Sequence, residues 1–369
     1  MTAAAAESTI NGRNARLGLA GLVVLVAAAC NGGETTNADA TTTTDTEASI
    51  DSIVLMTHDS FAISEDVLAD FEAEAGVTVE VLLAGDAGSM LGQAILTRDN
   101  PLADVMYGVD NTFLSRALDA GIFIPYQAAG AADLSAGLRV AGDPVTPIDF
   151  GDVCLNYDIA GLAAAGLPAP TSLDDLTDPV YAGRLVVQNP ASSSPGLAFL
   201  LSTIVAFPEG SAYDWTAYWA DLVANDVLVT DGWETAYYGE FSGGTGAGTR
   251  PIVVSYASSP PAEVVFGELE EAPTGVVEEG CFRQVEYVGI LAGTAAESIA
   301  RALVDFMVSP RFQEDMPLNM FVFPANSTAA IPEVFRANTV IPDEPATMDP
   351  ATIEMNRERW IDTWTEIVR

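Results

Sequence analysis

A ten-residue stretch in the middle of the chain, residues 229–238, carries the side chains with the clearest capacity for recognition chemistry. Trp233 and Glu234 follow a turn glycine, and Tyr237 and Tyr238 come about one helical turn later. An organic cation over an aromatic face is stabilised by about 0.5–2 kcal/mol, depending on how dry the site is. The stretch therefore predicts either one wall of a pocket for an organic cation or a helix start whose aromatics pack inward.

A second candidate lies at a predicted helix start, where Ser193 and Ser194 precede Pro195 and an apolar run. Serine followed by proline at the first helical position is a strong signal for a helix N-terminus. The free backbone N–H groups and the hydroxyls there suit an anion or a ligand hydroxyl. Ordinary helix capping explains the same pattern equally well.

The amino-acid composition excludes several classes of function. The 369 residues carry a formal net charge of -38, and all 14 of the basic Lys and Arg positions are arginine. The absence of lysine excludes Schiff-base chemistry and a phosphate-loop lysine, and the acidic balance argues against nucleic acid. His58 is the only histidine. We therefore expect a protein that attracts cations and is not an enzyme, with no cofactor and no metal.

The N-terminus predicts export. Arg13 and Arg16 precede an apolar run over residues 17–26, and a small-residue box ends at Cys30. This pattern is typical of a lipoprotein signal peptide over residues 1–30, with Cys30 as the lipidated first residue of the mature protein. A signal peptide without lipidation is the alternative. We expect an extracytoplasmic protein on the outer face of the cell membrane, held only by its lipid, or else a periplasmic one.

The polar residues 31–50 lack bulky apolar side chains and predict a disordered tether. Two further cysteines follow in the folded part, Cys154 and Cys281. If Cys30 is lipidated, these two remain as a pair in an oxidising compartment. We therefore predict a Cys154–Cys281 disulfide.

From residue 51 onward, strand-like and helix-like patterns alternate, which predicts an α/β fold. The predicted strands are 53–56, 77–83, 103–108, 152–157, 185–187, 251–255 and 285–291, and residues 145–150 lead into the fourth of them. The predicted helices are 64–75, 89–96, 112–120, 197–207, 215–223 and 297–308, with another beginning near Pro260 and a C-terminal helix after Asp349 whose Trp360 and Trp364 belong to the core.

Six motifs, in order, resemble those of the thiamine-binding proteins of ABC importers. They are Thr57-His58-Asp59-Ser60-Phe61, Gly108-Val109-Asp110-Asn111, Ser192-Ser193-Ser194-Pro195-Gly196, Asp231-Gly232-Trp233-Glu234-Thr235-Ala236-Tyr237, Ser255-Tyr256-Ala257-Ser258-Ser259-Pro260 and Phe306-Met307-Val308-Ser309-Pro310-Arg311-Phe312-Gln313. Each motif is weak alone, but six in register over residues 52–369 are specific.

The resemblance implies a type II periplasmic-binding-protein fold, an α/β fold with two lobes joined by crossover strands and a ligand cleft between them. On this sequence lobe 1 would comprise residues 51–148 and 286–330. Lobe 2 would comprise residues 149–285 and 331–369, including the C-terminal helix. The crossovers would fall near residues 148–157 and 284–289, beside the predicted disulfide. The resemblance also implies a monomer that hands thiamine to a permease and ATPase complex.

Carried over residue by residue, the resemblance implies a ligand site drawn from the ends of several strands, where open α/β sheets bind ligands. Its expected members are His58, Asp59, Ser60, Asp86, Asp110, Ser193, Ser194, Trp233, Tyr237, Tyr256 and Phe321. The chain departs from the pattern at His58, where relatives tend to carry Tyr, and at Phe321, where they tend to carry Trp. We expect Tyr238 to lie on another face and to be structural.

Three other readings stay open at this point. The same fold would suit a polyamine, a ferric ion or a phosphonate, although adjacent helical residues such as Tyr237 and Tyr238 point apart and make a poor iron pair. Clustered carboxylates would also suit a secreted hydrolase. The third alternative is a partner of a sensor domain, which reports the ligand and takes no part in transport.

Thiamine phosphates are further candidate ligands, and unphosphorylated thiamine is expected to bind at least as well as the diphosphate.

Overall fold

The computed structural model describes residues 50–369. The predicted signal peptide with Cys30, and the predicted tether apart from its last residue, lie outside the described residues. The strands are β1 Ser52–Thr57, β2 Thr78–Leu83, β3 Val105–Asp110, β4 Phe123–Ile124, β5 Thr146–Asp158, β6 Leu185–Gln188, β7 Leu228–Thr230, β8 Ile252–Tyr256, β9 Thr274–Leu291 and β10 Phe323–Pro324.

Twelve α-helices alternate with these strands in the described part of the chain. They are α1 Glu65–Ala75, α2 Ala87–Leu96, α3 Leu114–Asp119, α4 Ile159–Ala164, α5 Ser194–Ala206, α6 Trp215–Ala224, α7 Pro260–Gly267, α8 Glu297–Met307, α9 Pro310–Gln313, α10 Met316–Asn319, α11 Glu333–Asn338 and α12 Pro350–Val368. No helix within residues 50–369 is long and apolar enough to cross a membrane.

The sheet contains two groups of parallel strands. The first group has the order β2-β1-β3 and the second has the order β8-β6-β7. Between them lie the long strands β9 and β5, which pair with each other and with the flanking groups in antiparallel fashion. Parallel strands need helical crossovers, which cover the faces of the sheet and bury it.

The two long strands connect the two halves of the sheet. Strand β5 runs over 13 residues and β9 over 18, and their register covers most of both lengths. The predicted crossover segments lie inside these strands. Strand β5 already begins at Thr146, within the segment 145–150 that was expected only to lead into a strand at 152–157. Strand β9 begins eleven residues earlier than the predicted segment 285–291. Its first half contains two glycines and the adjacent pair Glu278-Glu279, which the sequence pattern alone did not distinguish from a loop.

The predicted disulfide is confirmed. Cys154 on β5 and Cys281 on β9 are bonded, with a Cα–Cα distance of 4.3 Å, and both are buried. Between Val153 and Leu155 the register of the two strands shifts, so that the pairing jumps from Phe282 to Val277. The cystine therefore joins the crossover strands at the point where their regular pairing is interrupted.

The core is densest around the second strand group. Helix α5 is buried over eleven consecutive residues, from Ser194 to Ile204, because it lies between the sheet and other helices. The predicted core role of Trp360 and Trp364 is confirmed, since each is only 3% exposed. Trp364 packs edge-on against Trp219, with ring centroids 5.5 Å apart, which fixes α12 on α6.

Candidate ligand-binding site

A cavity of about 300 Å³ opens between the two strand groups, at the lower end of the size range of small-molecule sites. Its lining comes from segments that follow β1, β2, β6, β7 and β8, and from the crossover strands β5 and β9. The carboxyl ends of parallel strands meet there, because each strand group runs towards the cleft. The cavity is therefore where an open α/β sheet is expected to bind its ligand.

Trp233 forms the central aromatic wall. Its indole stacks on Tyr237, with ring centroids 4.9 Å apart and an interplanar angle of 18°. The indole N–H donates a hydrogen bond of 2.9 Å to Ser255 Oγ on β8. Tyr256, also on the cavity wall, lies edge-on to the indole at 6.5 Å. These contacts hold the aromatic surface rigidly, so little side-chain entropy remains to be lost when a ligand packs on it.

The segment after Trp233 is a π-helical turn, Thr235–Glu240, in which Phe241 N–H donates to the carbonyl of Ala236. In this wider turn both Tyr237 and Tyr238 line the cavity. The expectation that Tyr238 would be purely structural, on a separate face, was therefore wrong. It had assumed regular α-helical geometry. The Tyr237 hydroxyl donates a hydrogen bond of 2.7 Å to Glu263, so the hydroxyl of Tyr238 is the one more available to a ligand.

Asp86 connects the two strand groups across the cleft. It follows β2, and its carboxylate accepts hydrogen bonds from the backbone N–H of Ala87 at 2.7 Å, of Ser194 at 3.2 Å and of Trp233 at 3.0 Å. Ser193, the residue before α5, makes no side-chain capping bond. The free N–H groups at the start of α5 thus receive an anion, as the helix start suggested, but the anion is a side chain of the protein itself.

The floor of the cavity is a buried polar cluster. The Tyr107 hydroxyl lies 2.6 Å from Asp149 Oδ2 and 3.0 Å from Glu286 Oε2. Glu286 Oε1 accepts from Gln284 at 3.1 Å, and His58 Nε2 lies 3.5 Å from Glu286 Oε2. Asp149 and Glu286 are direct partners in the register of β5 and β9.

Burial and mutual charge shift the pKa values of this floor. Burial is the largest single effect on His58 and opposes its protonation, but the charge and hydrogen bonding of Glu286, together with the charges of Asp86 and Asp149, outweigh burial and raise the pKa of His58 to about 9. Burial, followed by the charge of Glu286, raises the pKa of Asp149 well above its usual range. Burial also raises the pKa of Asp86, against the effect of its hydrogen bonds. At neutral pH the floor therefore holds an imidazolium, next to a buried aspartate whose pKa is raised.

The structure brings most of the predicted site residues together. Those that line the cavity are His58, Asp59, Ser60, Asp86, Ser194, Trp233, Tyr237, Tyr256 and Phe321. Ser193 and Asp110 do not line it. Ser193 is fully buried beside Asp86, and Asp110 accepts hydrogen bonds from Thr112 and from the backbone of Phe113. Burial raises the pKa of Asp110 to about 7.

Sequence reasoning missed several lining residues, chiefly Asp149, Gln284 and Glu286 on the crossover strands and Phe266 on α7. Asp149 and Glu286 each lie among ordinary strand residues. Only the pairing of β5 with β9 places their side chains next to each other. Phe266 is 59% exposed and touches Phe321 edge-on at 5.3 Å. An exposed phenylalanine near a helix end carries no sequence signal of a binding role.

Two groups of parallel strands, joined by long antiparallel crossovers around a cleft, define a type II periplasmic-binding-protein fold, as the sequence predicted. Comparison with known proteins agrees. A solved structure described as a periplasmic thiamin binding protein superimposes with a TM-score of 0.77 at 26% identity, covering 86% of this chain and 96% of that chain. Residues 100–342 match the family of bacterial extracellular solute-binding proteins. The chain belongs to that family.

Curated relatives extend the match beyond those residues. The thiamine-binding periplasmic protein of Escherichia coli (strain K12) is 29% identical over 324 residues, covering 86% of this chain and 93% of that protein. The thiamine-binding periplasmic protein of Brucella suis biovar 1 (strain 1330) is 27% identical over 320 residues, covering 85% of this chain and 91% of that protein. The similarity therefore spans nearly all of the described residues.

Proposed function

We propose that this chain captures thiamine outside the cytoplasm and delivers it to the permease and ATPase of an ABC importer. The observation that carries the proposal is the joint placement of Trp233 and several carboxylates around one cavity. Relatives that match along most of the chain are described as thiamine-binding, which supports the same ligand. The proposal assigns no chemical reaction to the protein.

The lining matches the three parts of thiamine. The thiazolium ring is a flat cation without N–H groups, so it suits the aromatic faces of Trp233 and Tyr238. The aminopyrimidine offers hydrogen-bond donors and acceptors, which suit the polar floor. The hydroxyethyl group suits Ser194, whose buried hydroxyl has no hydrogen-bond partner within residues 50–369. Nanomolar affinity requires about 12 kcal/mol, so these contacts must act together in a closed cleft.

Charge favours thiamine over its phosphates. Of the described residues that line the cavity, Asp59, Asp86, Asp149, Glu234 and Glu286 are acidic, and none is arginine. The start of α5, which would otherwise attract a phosphate, already binds the carboxylate of Asp86. A diphosphate would therefore enter a negative site without a guanidinium partner. Thiamine phosphates remain secondary ligands in this proposal.

A polyamine is the second candidate, because the five lining carboxylates complement a chain of ammonium groups equally well. It differs from thiamine in having no ring to stack on Trp233. Ferric ion is less well supported, since the Tyr237 hydroxyl is already hydrogen-bonded to Glu263.

Isothermal titration calorimetry with thiamine, its monophosphate, its diphosphate and spermidine tests the proposal. We expect thiamine to bind, and to bind at least as tightly as the diphosphate. Binding of spermidine without thiamine would transfer the function to polyamine capture. A clear preference for the diphosphate would contradict the charge argument.

We further propose that Cys30 is lipidated, that residues 31–50 form the tether, and that the protein acts as a monomer at the outer face of the membrane. The lobes would comprise residues 51–148 with 286–330, and residues 149–285 with 331–369. In detergent phase separation of expressing cells, the full-length chain should enter the detergent phase and a Cys30→Ala variant the aqueous phase. A wild-type chain that stays aqueous would indicate a soluble periplasmic protein.

A further inference from the structure

Asp149 and Glu286 form an unusual pair. They lie directly opposite each other on β5 and β9, and they are only 1% and 7% exposed. Like charges directly opposite in a sheet are destabilising, and burial adds to that cost. Both side chains line the cavity. A pair with these properties is more easily explained by a ligand than by the stability of the sheet.

The hydrogen bonds around the pair are incomplete. Tyr107 carries one phenolic proton, which it can donate fully to only one of the two carboxyl groups at a time. Within residues 50–369, Asp149 Oδ1 accepts no hydrogen bond. His58 Nε2, on a side chain that is 8% exposed, also has no hydrogen-bond partner in this range. Asp149 therefore presents an unused carboxyl oxygen at the cavity floor, whereas His58 Nε2 faces Glu286 Oε2 at 3.5 Å.

The floor favours one part of an aminopyrimidine thiazolium ligand over the other. An unused carboxyl oxygen needs an N–H donor, and the thiazolium ring has none. The exocyclic amino group of the aminopyrimidine is such a donor. The aromatic wall at Trp233, by contrast, offers a π face and suits the flat cation. The two ends of the ligand are thereby distinguished by their chemistry.

We propose that Asp149 and Glu286 form a subsite that binds the exocyclic amino group of the ligand, with Asp149 Oδ1 as its acceptor. This inference rests on the proposed function, because it assumes a ligand of the thiamine type. It assigns to the crossover strands a role in specificity in addition to their role in joining the lobes. It also fixes the direction of the ligand, with the aminopyrimidine at the floor and the thiazolium at the aromatic wall.

A double-mutant cycle tests the subsite, with one change made in the protein and the other in the ligand. The affinities of thiamine and of 4′-deaminothiamine, in which hydrogen replaces the amino group, are measured by calorimetry for wild type and for Asp149→Ala. We expect wild type to prefer thiamine by about tenfold or more, because a site built to bind an N–H group rejects an analogue without it. In Asp149→Ala the two affinities should agree within about twofold.

Asp149→Asn provides a second variant of the same shape, and the preference should fall there too, because one of the two carboxyl oxygens is replaced by an NH2 group, which cannot accept from the ligand amino group. Asp152→Asn is the matched control. Asp152 is a buried carboxylate on the same strand, paired with Arg283 at 2.5 Å, and it does not line the cavity. Its variant should keep the wild-type preference. Melting temperatures establish that each variant is folded.

The outcomes separate the two proposals. If wild type binds thiamine and its deamino analogue equally, or if Asp149→Ala keeps the full preference, the subsite is wrong and the proposed function stands. If wild type binds neither compound, the proposed function is wrong and the subsite falls with it.

Discussion

The backbone N–H of Trp233 donates a hydrogen bond of 3.0 Å to the carboxylate of Asp86, although 147 residues separate the two in the chain. The same carboxylate receives the N–H of Ser194 at the start of α5. Asp86 follows β2 in the first strand group, whereas Trp233 and Ser194 belong to the second. One side chain therefore holds the aromatic wall and the helix start of one half against the other half.

Removal of this link should weaken ligand binding. In Asp86→Ala two N–H groups lose a charged acceptor, and hydrogen bonds of this kind contribute roughly 1.5–3 kcal/mol each. We expect thiamine affinity to fall by at least about tenfold, measured by calorimetry, and the liganded protein to be less compact in small-angle scattering.

Asp214→Ala is a matched control for this change, because Asp214 caps α6 through the N–H groups of Thr216 and Ala217, as Asp86 caps α2. It does not line the cavity. Loss of a cap costs about 1 kcal/mol of stability in either case. If both variants lose ligand affinity equally, Asp86 acts only as a helix cap.

Trp233 should contribute affinity and little stability. Trp233→Ala removes the central aromatic wall, and we expect thiamine to bind at least about tenfold more weakly, with little change in melting temperature because the side chain is only partly buried. Calorimetry and thermal unfolding measure the two effects. Unchanged affinity would remove Trp233 from the site.

Intrinsic tryptophan fluorescence tests independently whether the ligand contacts Trp233. The other tryptophans, Trp215, Trp219, Trp360 and Trp364, are at most 3% exposed. Ligand-induced quenching should therefore arise from Trp233 and should disappear in Trp233→Phe. Spermidine, which has no ring, should not quench the wild-type protein. Quenching that persists in Trp233→Phe would place the ligand elsewhere.

The single histidine allows a direct titration. In NMR spectra of a protein with a histidine-free affinity tag, the imidazole signals belong to His58 alone. We expect a midpoint near pH 9, since Glu286 raises the pKa of His58 to about 9 against the effect of burial. In Glu286→Gln the midpoint should fall. A wild-type midpoint near the ordinary 6.5 would contradict the ion pair.

The raised pKa of His58 also makes the stability of the fold depend on pH. Because the pKa of His58 is raised on folding, its contribution to the free energy of unfolding is complete below about pH 6.5 and is lost as the pH rises through about 9. Chemical denaturation should show a loss of stability over this window in wild type. His58→Gln should show a smaller loss.

The disulfide should add stability through its long loop. Cys154 and Cys281 are 127 residues apart, and a cross-link of this kind typically contributes about 2–4 kcal/mol. We expect Cys154→Ala/Cys281→Ala to lower the free energy of unfolding by about that amount. Thiol titration of the denatured, unreduced protein, expressed without residues 1–30, should find no free sulfhydryl. Two free thiols would contradict the bond.

Local patterns in the sequence were sufficient for most of the fold. Short apolar segments located β1, β2 and β3, and the Ser-Pro pair located the start of α5. The cysteines could be paired by simple counting, because only two remained in the folded part. The aromatic stretch at Trp233 was compatible with a cavity wall or with inward packing, and only its resemblance, together with five other motifs, to a family of binding proteins favoured the wall.

The features that the sequence did not predict depend on contacts between residues that are far apart in the chain. The register of β5 and β9 sets Asp149 opposite Glu286, and no local pattern encodes that register. Likewise, the serines before Pro195 predicted either anion binding or ordinary capping, but the acceptor of the Ser194 N–H is a carboxylate from the other half of the sheet. Tyr238 was misplaced because the sequence pattern does not distinguish a π-helical turn from an α-helix.

The cystine at the break in the pairing of β5 and β9 restricts how the two halves can move. A bond across two neighbouring strands prevents them from sliding past each other, so a change between open and closed forms must come from twisting or bending of the strands. Sliding would separate Asp149 from Glu286, whereas twisting keeps them opposed. The cystine thus favours keeping Asp149 opposite Glu286, and in the proposed subsite the ligand amino group would meet the same pair of carboxyl groups in either form.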